Sequence, residues 1–188
     1  MRILISGVIG GVVFFLWGAV AHLALPVGTM GMQFAAPHAA VLRAMKQDFQ
    51  GEGVYILPSL PKDKMGDAEA TKAFASTATS NPYAFVVYQP KGEDQSQMGD
   101  NLVKQGVSDF LSALIVSFVL ALGAFGFGKR VLVSTALGLF SWLTVSVPWW
   151  NWYRFPLEFT IGSLLEQVVG WLLAGVAMAW WLGRKQAR

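Results

Sequence analysis

Long apolar runs and one long polar stretch divide the chain. Apolar side chains dominate positions 1–25, give way to a mixed segment over 26–106, and return over 107–127, 131–150 and 157–183. Each run has about the 20 residues an α-helix needs to cross a hydrocarbon core of roughly 30 Å. Within each run the small and polar positions share one helical side. In the first they are Gly7, Gly11, Gly18 and His22; in the second, Asp109, Ser112, Val116 and Gly123. In the third they are Ser134, Gly138 and Ser141; in the fourth, Gly162, Glu166, Gly170 and Ala177, with Ser163 and Gln167 adjacent. Lipid tails give helices no hydrophobic drive to associate, so small residues that let backbones approach mark the contact faces. Four such faces predict an all-α integral membrane protein, a four-helix transmembrane bundle.

The 26–106 segment reads differently. Pro37 sits where a helix starts, and Val41, Leu42, Met45 and Phe49 recur at helical spacing up to Gly51. "VYILP" reads as a strand closed by Pro58. Asp67 is placed to cap a helix over 68–77 anchored by Phe74, and "YAFVVYQ" is the strongest strand pattern in the chain. The order α–β–α–β predicts a small α+β insert between the first and second spans. Two strands with few apolar anchors make a thin core, so the insert is expected to lean on the bundle, the membrane surface or a partner.

Composition agrees. Of 188 residues, 54% are hydrophobic and 13% charged, against about 25% charged in soluble domains. The net charge of +3 would suit nucleic acid, but its distribution does not. Arg2, Lys129, Arg130, Arg184, Lys185 and Arg188 flank the apolar runs without acidic neighbours, whereas 26–106 carries seven Lys/Arg and eight Asp/Glu. This is the positive-inside pattern. It places both termini and the basic tail 184–188 in the cytoplasm and the insert outside it. "AVAH" (Ala19–His22) resembles a signal-peptidase site, but the apolar run is longer than a usual signal core, so an uncleaved anchor is expected. The chain has no cysteine, which removes disulfide, thiolate–metal and thiol-nucleophile chemistry.

Few residues carry candidate chemistry. A carboxylate deep in an apolar run costs roughly 2.5 kcal/mol or more, so Glu166 should face the bundle and find a partner or a proton. His22, Asp109, Asn151, Arg154, Glu158, Glu166 and Gln167 form the candidate outer polar pocket. It would hold a ligand or relay a proton, or His22 and Glu166 would simply hydrogen-bond and fix helix register. No tight metal-ligand spacing, nucleophile elbow, P-loop or dinucleotide fingerprint is present, so no catalytic residue, metal or cofactor is assigned. His38 reads as an ordinary surface histidine.

The densest aromatic stretch is "VPWWNWYRFP", with Trp149, Trp150, Trp152 and Tyr153 between two prolines. Trp and Tyr concentrate where hydrocarbon meets headgroups, so 151–156 is expected to be a stiff outer turn. Trp180 and Trp181 then form the inner belt. Asn151 and Arg154 remain over, suited to a headgroup, a quinone or a partner backbone.

"FFLWGAVAHLALP", "GVYILP", "VPWWNWYRFP" and "EQVVGWLLAG" together resemble a set of small bacterial inner-membrane proteins of unknown function. The resemblance implies four spans in a bacterial envelope and brings no activity. The leading expectation is a non-enzymatic accessory, assembly or scaffolding subunit, partnered by other membrane subunits or by copies of itself. An outer-leaflet binding or transport protein for a lipid, quinone or other hydrophobic ligand comes second. A membrane-embedded hydrolase or transferase using His22 and Glu166 comes third.

Overall fold

A computed structural model describes residues 1–34, 39–94 and 96–184. It contains the four long apolar helices: α1 (Arg2–Leu23), α4 (Gly99–Ala121), α5 (Phe127–Tyr153) and α6 (Leu157–Gly183). Between α1 and α4 lie α2 (Ala39–Asp48), β1 (Gly53–Leu57), α3 (Ala68–Ser80) and β2 (Ala84–Tyr88). The chain divides into two compact units, one of residues 1–33 with 96–188 and one of residues 34–95.

In the helical unit the helices are ordered α4–α1–α6–α5, and α4 barely meets α5. Glycine sets the closest approaches. A Cβ on Gly11 would stand 2.9 Å from Phe110 Cα, and one on Gly7 would stand 3.0 Å from Leu114 Cα. With Ser117 Oγ donating to Ile3 O (3.0 Å), these contacts make α1 and α4 an antiparallel pair. Gly10 sits where three helices meet, against Met178 of α6 and Ala113 of α4. The core joins Ala113, Val116 and Leu120 of α4 to Trp171, Ala174, Met178 and Leu182 of α6, with Val13 and Phe14 of α1 packed between. The outward faces stay apolar, as bilayer contact requires: Leu16, Ile115, Phe118 and Phe140 are all exposed.

Polar side chains tie the α5–α6 pair. Ser134 Oγ donates to Trp171 O (2.8 Å), Trp142 Nε1 donates to Thr160 O (2.8 Å), and Ser146 and Ser163 share a hydroxyl bond (2.7 Å). Such interhelical bonds average about 0.6 kcal/mol in membranes, so close packing carries most of the association. At the opposite end of the chain, Arg2 Nη2 donates to Leu182 O (2.7 Å) and Arg184 O (2.8 Å), joining the start of α1 to the end of α6.

Three helix limits differ from expectation. α4 starts at Gly99, two turns before the apolar run, and α5 starts at Phe127. α5 also passes through Pro148 to Tyr153, so Trp149, Trp150, Asn151, Trp152 and Tyr153 are its last helical turns and not a connecting turn. The real reversal is shorter. It pivots on Arg154, which caps α5 in the left-handed region (φ 56°), while Pro156 caps the start of α6. Left-handed backbone is uncommon for a residue with a Cβ and marks a tight turn. Two expected contact positions also fall away. Gly18 has no atom within 4 Å of a Cβ built on it, and Gly123 lies beyond the end of α4.

In the insert, β1 and β2 form a two-stranded antiparallel sheet, registered from Gly53 opposite Tyr88 to Leu57 opposite Ala84. Asp67 caps α3 as the sequence predicts, its carboxylate accepting from Glu69 N (2.9 Å) and Ala70 N (3.1 Å). No described residue of 39–94 is buried. An aromatic cluster holds the sheet instead: Phe49 stacks on Tyr55 (centroids 3.9 Å) and meets Tyr88 edge-on (5.1 Å). Pro37 and His38 lie outside the described residues, as do Lys185 and Arg188.

Candidate functional site: a groove between α1, α4 and α6

The site begins with a pairing the sequence raised. His22, in the last turn of α1, places Nε2 3.2 Å from Glu166 Oε1 on α6. Five residues before His22, Trp17 Nε1 donates to the backbone oxygen of the same Glu166 (3.0 Å). One turn and a half of α1 thus holds both the side chain and the main chain of one α6 residue.

The imidazole is fixed from behind by a segment that reads as a mere turn. After α1 the chain folds into a single 3-10 turn, Pro26–Thr29, packed on both α1 and α6. Gly28 is buried there, and a Cβ on it would overlap the His22 ring. Gly31 then takes φ +73°, and a Cβ there would stand 2.6 Å from Phe159 N. Only glycine combines that backbone with that approach. Residues 26–33 therefore belong with the helical unit, and the insert proper is narrower than the 26–106 read from polarity.

Beside the pair opens a groove of about 380 Å³, bounded by the second half of α1 and the first turns of α4. Its lining mixes apolar side chains, among them Phe14, Phe15, Leu23 and Leu102, with the polar Asn101, Gln105, Asp109, His22 and Glu166. Gly18 lies on the groove, which is why nothing packs against it. Asp109 is only 5% exposed and accepts from Gln105 Nε2 (2.8 Å). Among the described residues no lysine or arginine lines the groove. Size and lining fit a small-molecule site, which typically runs to roughly 300–1,000 Å³ with a few placed polar groups.

The expected polar pocket divides. His22, Asp109 and Glu166 come together. Gln167 faces α5 instead and accepts from Ser141 Oγ (3.1 Å), where it ties two helices. Asn151, Arg154 and Glu158 are exposed at the α5–α6 reversal and do not line the groove. Asn101 and Gln105 were missed because they lie before the apolar run. Asn101, Gln105 and Asp109 follow one another at steps of four, which puts all three on one face once α4 is known to start at Gly99.

Catalytic arrangement is weak. Ser163 lies near His22 and Glu166, but its hydroxyl is bonded to Ser146 (2.7 Å) and not to the imidazole. A nucleophile must sit within hydrogen-bond reach of its base. Among the described residues no three His, Asp or Glu side chains are grouped to hold a metal ion.

Compared with family models, curated proteins and solved structures, the chain matches none of them.

Proposed function

We propose that the protein binds an amphiphilic small molecule, of the lipid or quinone kind, in the groove between α1, α4 and α6. The observation that carries this reading is the groove's mixed lining: phenylalanine and leucine together with Asn101, Gln105, Asp109 and the His22–Glu166 pair. A ligand with a chain and a head would satisfy both kinds of lining at once. The setting is a bacterial inner membrane, with both termini in the cytoplasm and the insert outside. That orientation rests on the flanking Arg and Lys residues.

Gly18→Leu tests the reading directly. A Cβ there meets no neighbour within 4 Å, and the rest of the leucine grows onto the groove. Native mass spectrometry of the purified protein should show a co-purifying small molecule that Gly18→Leu displaces and Arg154→Ala leaves bound. Equal occupancy in the wild type and Gly18→Leu would remove the groove from consideration.

A second reading, an accessory or assembly subunit of a larger membrane complex, is favoured by α5. Only 11% of its apolar window is buried, against 33% for α6, and α6 is its main neighbour. Lipid covers such a face as well as a subunit does, so native purification decides. A monodisperse monomer without co-purifying protein would count against this reading.

A further inference from the structure

Resting on the groove reading, we infer that the head of the ligand is a cation: an aliphatic amine or quaternary ammonium on an apolar tail. Among the described residues the groove carries two carboxylates, Asp109 and Glu166, and no lysine or arginine. Glu166 has His22 at 3.2 Å. Asp109 has no positive partner among the described residues, only the neutral amide of Gln105 at 2.8 Å, although it is 5% exposed. A buried carboxyl paired with a single amide either takes a proton or needs a counter-charge, because a lone charge in an apolar setting is expensive. A ligand cation lying between Asp109 and Glu166 supplies that counter-charge.

The rest of the groove suits the same class. Phe14 and Phe15 lie on it, and aromatic faces attract ammonium groups. Asn101 adds a neutral polar group without adding positive charge. An anionic head would meet two carboxylates, and a neutral head would gain no charge pairing from either.

The test compares three probes with one tail: decyltrimethylammonium, decanol and decyl sulfate. Each is titrated into the full-length protein in nanodiscs, with empty nanodiscs as the partition blank. The ammonium probe should bind about tenfold or more tighter than decanol, the size expected of a charge-assisted contact, and decyl sulfate should bind weakest. Asp109→Asn should remove that advantage while decanol binding stays, and Asp109→Glu should keep most of it. Gly18→Leu, which fills the groove at a position where no side chain packs, should abolish binding of all three. Should Asp109→Asn not fold, Glu166→Gln serves in its place. If decanol binds as tightly as the ammonium, or neither carboxylate variant changes the ratio, the cation inference is overturned while the groove reading survives. If no probe binds above the blank, both fall.

Discussion

Gly28 governs the site at the scale of single residues. It has no chemistry of its own, yet the His22 ring occupies the space a Cβ would need. Gly28→Ala should force the ring away from Glu166 and cost about 1–3 kcal/mol, as overpacking of a tight contact does. Unfolding in mixed micelles measures the loss. The pair itself is worth less. A double-mutant cycle on His22→Ala and Glu166→Gln should give a coupling of about 0.6 kcal/mol, and a value well above about 2 kcal/mol would point to a more isolated charge pair than the observed exposure allows. His22 and Glu166 were legible because an ionisable group in an apolar run demands a partner. Gly28 was not. "PVGT" reads as a loop, and its value comes from a fold-back onto a ring six residues earlier. Gly18 misled for the opposite reason: its spacing matches a packing stripe, but the face it lies on opens onto the groove.

Helices tell a similar story. Hydropathy reports where the bilayer ends, not where the helix does. It therefore missed the first two turns of α4, whose exposed polar residues begin with Asp100 at the helix start, where a negative charge favours the dipole. Pro148 does not end α5, because membrane helices tolerate proline where neighbouring groups re-satisfy the freed carbonyl. The small-residue rule did locate the α5–α6 seam, and it yields a contrast. A Cβ on Gly138 would stand 2.7 Å from Gln167 O and 2.9 Å from Trp171 Cβ, whereas Gly128 faces open space. Gly138→Val should destabilise by about 1–3 kcal/mol through separation of the two helices. Gly128→Val should change stability by less than about 0.5 kcal/mol. Equal effects in a micelle unfolding assay would mean that the seam is not where the protein draws its stability. In the insert, Phe49→Ala removes the stacking partner of Tyr55 and the edge partner of Tyr88. Limited proteolysis should then cut 39–94 faster while α1, α4, α5 and α6 stay protected, because aromatic pairs worth roughly 0.5–1.5 kcal/mol each stand in for a buried core there.

For the molecule as a whole, four spans and the position of the insert followed from runs of apolar residues. The order α4–α1–α6–α5 did not, because glycine stripes say which faces pack but not which partner each will choose. Orientation is open to a direct check that the cysteine-free chain makes simple. In intact cells, a membrane-impermeant thiol reagent should label Asn81→Cys. It should reach Arg184→Cys only after permeabilisation. The reverse pattern would invert the proposed topology. One further consequence follows from α1 and α4 packing as direct antiparallel neighbours. The chain departs from the end of one and rejoins at the start of the other, so 34–95 is spliced into what is otherwise a plain helical hairpin. Such a splice is removable: a short glycine–serine bridge in its place should leave a shortened protein that still inserts, still unfolds at nearly the same midpoint, and lacks only what the appended piece contributes outside the helices.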